Sequence, residues 1–280
     1  MKTSILWASG LSAMAALMGL ACYSLTPDAR LVSTTSATTP KAAAPSDLRF
    51  QWSPNTTYDY RLAYRSETKA VPLVGDNQIG QSIDGGLDLE GTLSIHAYSD
   101  DGTTATLSYA LSDCKGHFSV SGMPAWSDCH QVFDGQELVV RVDHFGKVVA
   151  VHAPAGGATL FEYAMRAIIQ ETQVHLSEVP GIRSWVEEEL VPQGKVASIY
   201  KREDEEGSTN SLVRTRAHYN TLRAASMLNG ASLEQAESAK HEIRLDGSVL
   251  AKVEGKETLK ATSGGRSLLA STTEISLQKT

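Results

Sequence analysis

The stretch that decides the fold reads Lys147-Val-Val-Ala-Val-His152, then Ala153-Pro-Ala-Gly-Gly157, then Thr159-Leu-Phe-Glu-Tyr-Ala-Met-Arg-Ala-Ile-Ile-Gln170. The first piece predicts a short strand, the second a glycine-rich turn and the third a helix. A helix that lies on a flat sheet needs one apolar stripe, whereas this helix has apolar residues on nearly every side. We therefore expect a sheet wrapped around residues 159–170, with an apolar interior.

Most of the remaining chain alternates between apolar and polar residues, which is typical of antiparallel strands. The clearest run is Leu87 to Ala97, and Thr104 to Leu111 returns beside it after Asp100-Asp-Gly102. Further strand-like runs are 58–65, 138–143, 194–200, 211–222, 241–250, 256–262 and 268–277. The predicted fold class is mainly β with a buried central helix (α+β), an antiparallel β-barrel of roughly ten strands wrapped around one α-helix.

Two charged segments receive specific predictions. Ile182 to Leu190 predicts a second, shorter helix, with Glu187-Glu-Glu189 on its solvated face. On the predicted strand 211–222, Arg214, Arg216 and His218 share one parity and so face one way.

Bulk composition narrows the class of protein. The chain has 280 residues with a formal net charge of −7 and no basic cluster, which argues against nucleic acid as a partner. The motifs Gly-x-Ser-x-Gly, His-Glu-x-x-His and a phosphate-binding P-loop are absent, so the sequence predicts no enzyme, no cofactor and no metal.

The first 47 residues predict export. Residues 1–22 combine a lysine, an apolar stretch and small residues, which is typical of an export signal, a lipoprotein signal with Cys22 as the lipidation site, or a membrane anchor. Residues 23–47 lack periodicity and predict a disordered linker, or a plain disordered leader. The folded domain is then 48–280, in the periplasm or cell envelope and possibly lipid-anchored.

Cys114 and Cys129 flank a Gly/Pro-containing excursion and predict a disulfide, since an exported chain meets oxidising conditions. A bridge closing a loop of this size stabilises a fold by about 3 kcal/mol in the chain-entropy model. The alternative is zinc held by Cys114, His117, Cys129 and His130, although adjacent side chains in a strand diverge.

Several local motifs together resemble the N-terminal β-barrel of the large lipid transfer proteins, the family of vitellogenin and apolipoprotein B. The motifs are Phe50-Gln-Trp52 before Thr57-Tyr-Asp-Tyr-Arg-Leu62, the alternating run Gly86 to Ile95, Gly146-Lys-Val-Val-Ala-Val151 before a helix ending Ala167-Ile-Ile-Gln170, and Glu189-Leu-Val-Pro-Gln-Gly194 before Tyr200. The resemblance covers about residues 48–280. It implies a lipid-related role without catalysis, and a barrel that serves substantially in docking.

The helix supplies the candidate lipid contacts: Leu160, Phe161, Ala164, Met165, Ile168 and Ile169. These residues either fill a packed core or form a wall shared with a lipid or other apolar ligand. Each buried methylene contributes about 0.8 kcal/mol, so even a narrow groove beside the helix would hold an acyl chain. The sequence thus predicts lipid binding or lipid transfer by an exported domain held at the membrane by its N-terminal anchor. The alternative is a structural or docking lipoprotein with a possible protein partner, a fully packed barrel and no ligand.

Overall fold

The structure is a computed structural model that describes residues 48–71, 73–74, 78–79, 81–121, 129–152, 160–191, 194–205, 208–222, 234–263 and 265–280. The predicted export segment with Cys22, the predicted linker and the glycine-rich turn 153–157 lie outside these ranges. Within them, no helix is both long enough and apolar enough to cross a bilayer.

Thirteen strands and two helices make up the described fold. The strands are β1 Thr56–Ala70, β2 Leu73–Val74, β3 Gln78–Ile79, β4 Ile83–Asp100, β5 Thr104–Val120, β6 Leu138–Asp143, β7 Val148–His152, β8 Ser184–Val191, β9 Gly194–Glu205, β10 Ser208–Leu222, β11 Glu234–Asp246, β12 Val249–Ser263 and β13 Arg266–Lys279. The helices are the single turn α1, His130–Phe133, and α2, Leu160–Thr172.

Eleven strands form one antiparallel sheet in the order β7-β6-β5-β4-β1-β13-β12-β11-β10-β9-β8. The short strands β2 and β3 pair with each other. The mainly β, antiparallel fold is therefore confirmed. The predicted barrel is not closed among the described residues, because β7 and β8 end the sheet and do not pair with each other.

The first and last long strands meet in the middle of this sheet. β1 pairs with β13 from Tyr60↔Lys279 to Ala70↔Leu269, and its other edge pairs with β4. The centre of the sheet thus joins residues about two hundred positions apart in the chain.

The predicted alternation places the core on one face of the sheet. On β1, Tyr60, Leu62 and Tyr64 are buried while the residues between them are more exposed. On β5, Ala105, Leu107, Tyr109 and Leu111 are buried, as their shared parity predicts. Inward residues from strands in both halves of the sheet join α2 in a single hydrophobic cluster, so the sheet curves over the helix.

Two sequence predictions about local structure are wrong. Residues 182–190 form no helix: they lead into strand β8, where Trp185, Glu189 and Val191 face inward on the same parity. The run 241–250 is also interrupted, because Gly247 adopts φ +60° in the turn between β11 and β12. Glycine favours such a turn since it enters the left-handed region without steric cost.

The segment after α2 connects the two ends of the open sheet. The Leu176 amide donates to the Phe145 carbonyl at 2.8 Å, in the turn between β6 and β7. The His175 amide donates to the Tyr200 hydroxyl at 3.2 Å, on β9. Residues 173–177 therefore lie between the two sheet ends.

Candidate functional site

Helix α2 is buried on almost every side. Eleven of its thirteen residues are buried, the exceptions being Leu160 and Tyr163. Five of the six candidate lipid contacts are at most 4% exposed, and Leu160 is half-buried. The Phe161 ring meets the Phe133 ring edge-on, with centroids 5.8 Å apart.

The helix also buries a polar stripe that the sequence analysis underestimated. The Arg166 Nε donates to Glu162 Oε1 at 2.7 Å, one turn away, and Gln170 continues the same line. All three side chains are less than a tenth exposed. The stripe ends at Glu171 and Thr172, where charged groups from the sheet converge.

A small cavity lies beside the helix among the described residues. It measures about 40 Å³ and lies at one end, where Ile169 faces Ile95, Tyr109 and Val142. Pockets that hold drug-sized ligands measure roughly 300–1,000 Å³. The conformation described here therefore has room near Ile169 for a few water molecules and none for an acyl chain.

A buried charge cluster surrounds the C-terminal end of α2, and we define it as Glu171, Glu189, Glu257, Arg214 and Arg216. Each of these side chains is at most 5% exposed. They come from four elements, because Glu171 lies on α2, Glu189 on β8, both arginines on β10 and Glu257 on β12. The cluster thus ties the helix to three strands.

Arg216 is the centre of the charge cluster. Its Nη1 lies 2.8 Å from Glu171 Oε2 and also donates to Glu257, while its Nε lies 3.8 Å from Glu189 Oε2. The Tyr219 hydroxyl donates to the second oxygen of Glu257. One guanidinium therefore faces three carboxylates.

Arg214 holds the end of the helix. Its Nη2 donates to the Glu171 carbonyl at 2.9 Å and its Nη1 to the Gln173 carbonyl at 2.8 Å. Carbonyls at a helix C-terminus lack intrahelical donors and carry partial negative charge, so a guanidinium there satisfies both needs. This residue fixes where α2 ends against β10.

Glu189 is held by neighbours from the adjacent strand β9. The Ser198 hydroxyl donates to Glu189 Oε2 at 2.7 Å, and the Tyr200 hydroxyl donates to Oε1. The Trp185 ring stacks on the Tyr200 ring at 5.3 Å, and its Nε1 donates to the His175 carbonyl at 3.0 Å. The residues resembling the family's Glu-to-Tyr segment therefore build one side of the charge cluster.

Burial and charge move the pKa values of the carboxyls in opposite directions. Burial raises the pKa of Glu171, and Arg216 only partly opposes that rise. Burial also acts to raise the pKa of Glu189, but Arg214 and Arg216 outweigh it, so the pKa is lowered. Burial and the two arginines lower the pKa of His241, which holds this imidazole neutral.

The predicted disulfide is not formed. Cys114 and Cys129 are buried free cysteines. Burial, followed by a hydrogen bond with the Cys129 thiol, raises the pKa of the Cys114 thiol. A protonated thiol is a poor nucleophile for disulfide exchange, which is consistent with two neighbouring thiols.

The zinc alternative has no geometric support in the described part of the chain. There, no three His, Cys, Asp or Glu side chains gather as ligands for a metal. The His130 imidazole instead lies 3.2 Å from Asp134 on the exposed side of α1.

Sequence reasoning missed the charge cluster, although it noticed its parts. Arg214 and Arg216 were expected on one face of a strand, and that face is the interior one. The available signal was parity: Leu212 shares it with both arginines and is 1% exposed. Glu189 likewise shares its parity with Trp185 and Val191.

The chain is similar in structure to a solved lipovitellin chain, described as "Lipid-protein interactions in lipovitellin". The TM-score is 0.52 at 15% sequence identity, over 82% of this chain and 25% of the lipovitellin chain. The fold is that of a lipovitellin segment. The resemblance to the vitellogenin family is thus confirmed at the level of the fold, and this chain spans about a quarter of the lipovitellin chain it matches.

Other comparisons add little. No family model and no curated protein matches the chain. The solved structure of DynF from the dynemicin biosynthesis pathway of Micromonospora chersina covers 86% of this chain and 92% of its own, but at 9% identity its TM-score of 0.19 is too low for a shared fold.

Proposed function

We propose that this chain is a non-catalytic lipid-binding or lipid-transfer domain, exported and held at a membrane by its first residues. The observation that carries the proposal is the fold: it matches part of a lipovitellin chain whose description concerns lipid–protein interactions. The N-terminal sequence supports export and anchoring, because residues 1–22 combine a basic start, an apolar stretch and a cysteine after small residues.

The charge cluster supports a structural role for its titratable groups. Glu171, Glu257 and Arg216 are at most 2% exposed and the guanidinium pairs with both carboxylates, so a substrate does not reach them in this conformation. Groups of this kind hold α2 in the sheet. They do not need a reaction to explain their altered pKa values.

The test is lipid analysis of the whole purified chain. The chain is extracted from membranes, its bound lipid is identified by mass spectrometry, and transfer of a fluorescent phospholipid between vesicles is measured with and without the chain. We expect bound lipid and accelerated transfer. A chain that carries no lipid and leaves the transfer rate unchanged contradicts the proposal.

A second candidate function is docking by a packed domain without a ligand. The small cavity at Ile169 favours it, because a space of about 40 Å³ holds no acyl chain. Here the purified chain would be free of lipid and would leave vesicle transfer unchanged, yet would bind a protein partner in equal amount. Native mass spectrometry of the extracted chain separates the two candidates, since it weighs both lipid and protein adducts.

A further inference from the structure

Residues 48–53 form a strap across one end of the sheet, and we call them the aromatic strap. The Phe50 amide donates to the His144 carbonyl at 2.8 Å, and the Gln51 amide donates to the Ser248 carbonyl at 3.1 Å. The Trp52 amide donates to Asp100 Oδ2 at 3.2 Å. These partners lie in or beside three different interstrand turns. The strap spans the opening between these turns, which we call the mouth.

Two rings of the strap cover the cavity beside α2. Phe50 and Trp52 stack with centroids 6.0 Å apart, and they are 5% and 6% exposed. Both line the 40 Å³ cavity, and Ile169 and Val142 line it from below. The strap therefore covers an apolar space that reaches Ile169, a candidate lipid contact of α2.

The mouth also has polar features that suit a carboxyl group. The Trp52 indole Nε1 is buried and has no hydrogen-bond partner among the described residues, although an indole N–H normally donates when buried. Arg49, also on the strap, carries its guanidinium 5.2 Å above the Phe145 ring. A buried donor and a positive charge on the same strap complement a carboxylate, and the apolar lining of the cavity complements a hydrocarbon tail.

The strap is also the place where the predicted linker, residues 23–47, meets the fold. Any displacement of that linker is transmitted first to the strap. The strap is held by two rings and by hydrogen bonds from three backbone amides, two to backbone carbonyls and one to the Asp100 side chain. Its opening therefore does not require a core strand to unpair.

We propose that the aromatic strap is the gate of a fatty-acid site: the strap lifts, an acyl chain enters beside Ile169, and the carboxylate lies at Trp52 Nε1 and Arg49. This inference rests on the proposed lipid function and names its ligand class and entry. It also reconciles the small size of the cavity at Ile169 with lipid binding, because space is created when the Phe50 ring leaves. Engineered cavities of about 150 Å³ are known to bind small apolar molecules.

The experiment is photolabelling of the full chain in phospholipid vesicles with a fatty acid that carries a diazirine near its methyl end. Labelled peptides are mapped by mass spectrometry. Label on the peptide containing Ile169 or Val142 supports the site, whereas label confined to exposed residues overturns it.

Two variants test the gate. Phe50→Ala removes one ring that lines the cavity but keeps Trp52, and should raise interior labelling about tenfold, equivalent to about 1.4 kcal/mol lost from strap closure. Gln51→Cys with Ser248→Cys joins the strap to the turn after β11, and the oxidised chain should lose interior labelling and recover it on reduction. Tyr98→Ala, an exposed aromatic 45% accessible on β4, is the matched control and should leave labelling unchanged.

The outcomes separate this inference from the proposed function. Interior labelling that is unchanged both by the oxidised disulfide and by Phe50→Ala overturns the gate. Bound lipid and vesicle transfer without interior labelling overturn the fatty-acid site alone and leave the proposed function standing. A chain with neither lipid nor label contradicts both. If Phe50→Ala fails to fold, the reversible disulfide still decides the question.

Discussion

Arg216→Met is the most informative single change in the charge cluster. The guanidinium is fully buried and faces Glu171, Glu189 and Glu257. At its 2.8 Å distance from Glu171, the Coulomb attraction is about 6 kcal/mol for an effective dielectric constant near 20. Desolvation offsets part of this, and removing one partner of a buried ion pair is known to cost about 3–5 kcal/mol.

We therefore expect Arg216→Met to lose about 3–5 kcal/mol of the free energy of unfolding, a large part of the roughly 5–15 kcal/mol typical of a domain. Urea unfolding followed by tryptophan fluorescence measures it, since Trp185 stacks on Tyr200 beside the charge cluster. The matched control is Arg65→Met, an exposed strand arginine that should leave stability unchanged.

Acid should partly rescue the Arg216→Met variant. Without this guanidinium the buried carboxylates gain raised pKa values in the folded state, and protonation then favours folding as the pH falls. The difference in stability between variant and parent should therefore narrow towards about pH 5. A loss below about 1 kcal/mol, or a loss independent of pH, refutes the idea that Arg216 compensates buried charge.

Two variants and one labelling experiment test other parts of the structure. The pKa of Glu171 is raised in the folded state, so its contribution to stability is present below the unfolded pKa and is lost as the pH rises through the folded pKa. Glu171→Gln should therefore be more stable than the parent above the folded pKa, as measured by urea unfolding at several pH values. A variant that is more stable than the parent only in acid contradicts the raised pKa. Met165 is 0% exposed, so Met165→Ala leaves a cavity in the core and should lower the free energy of unfolding by about 2–5 kcal/mol. Thermal or urea unfolding measures this loss, and no change would mean that the core around α2 is loosely packed. Cys114 and Cys129 should react with a maleimide only after unfolding, which mass spectrometry detects; rapid labelling of the native chain contradicts their burial.

The sheet strands were largely predictable, because each has a local alternation with period two. The run Leu138–Asp143 matches β6 in full, and Lys147–His152 matches β7 within one residue. The surroundings of α2 were less predictable from the sequence. Its apolar residues predicted burial, but they did not predict that Glu162, Arg166 and Gln170 would also be buried, with Arg166 paired to Glu162.

Charge misled the prediction for β8. Three glutamates in a row read as a solvated face, since an isolated glutamate is rarely buried. Glu189 is buried because Ser198, Tyr200 and the arginines of β10 meet it, and these lie between 9 and 27 positions further along the chain. Such compensation is a tertiary property, and no window around Glu189 contains it. The order of the strands in the open sheet is likewise set by pairing between distant parts of the chain and not by local pattern.

The placement of β13 has a consequence for the order of events in biosynthesis. β13 lies between β1 and β12, so β1 pairs with β4 early but gains its second neighbour only once residues near Leu277 have emerged. Closing a contact over that separation carries a large entropic cost, and topologies rich in such contacts form slowly. The pairing at the centre of the sheet therefore forms only after the last of these strands has been synthesised, and until then one edge of β1 stays without its partner strand.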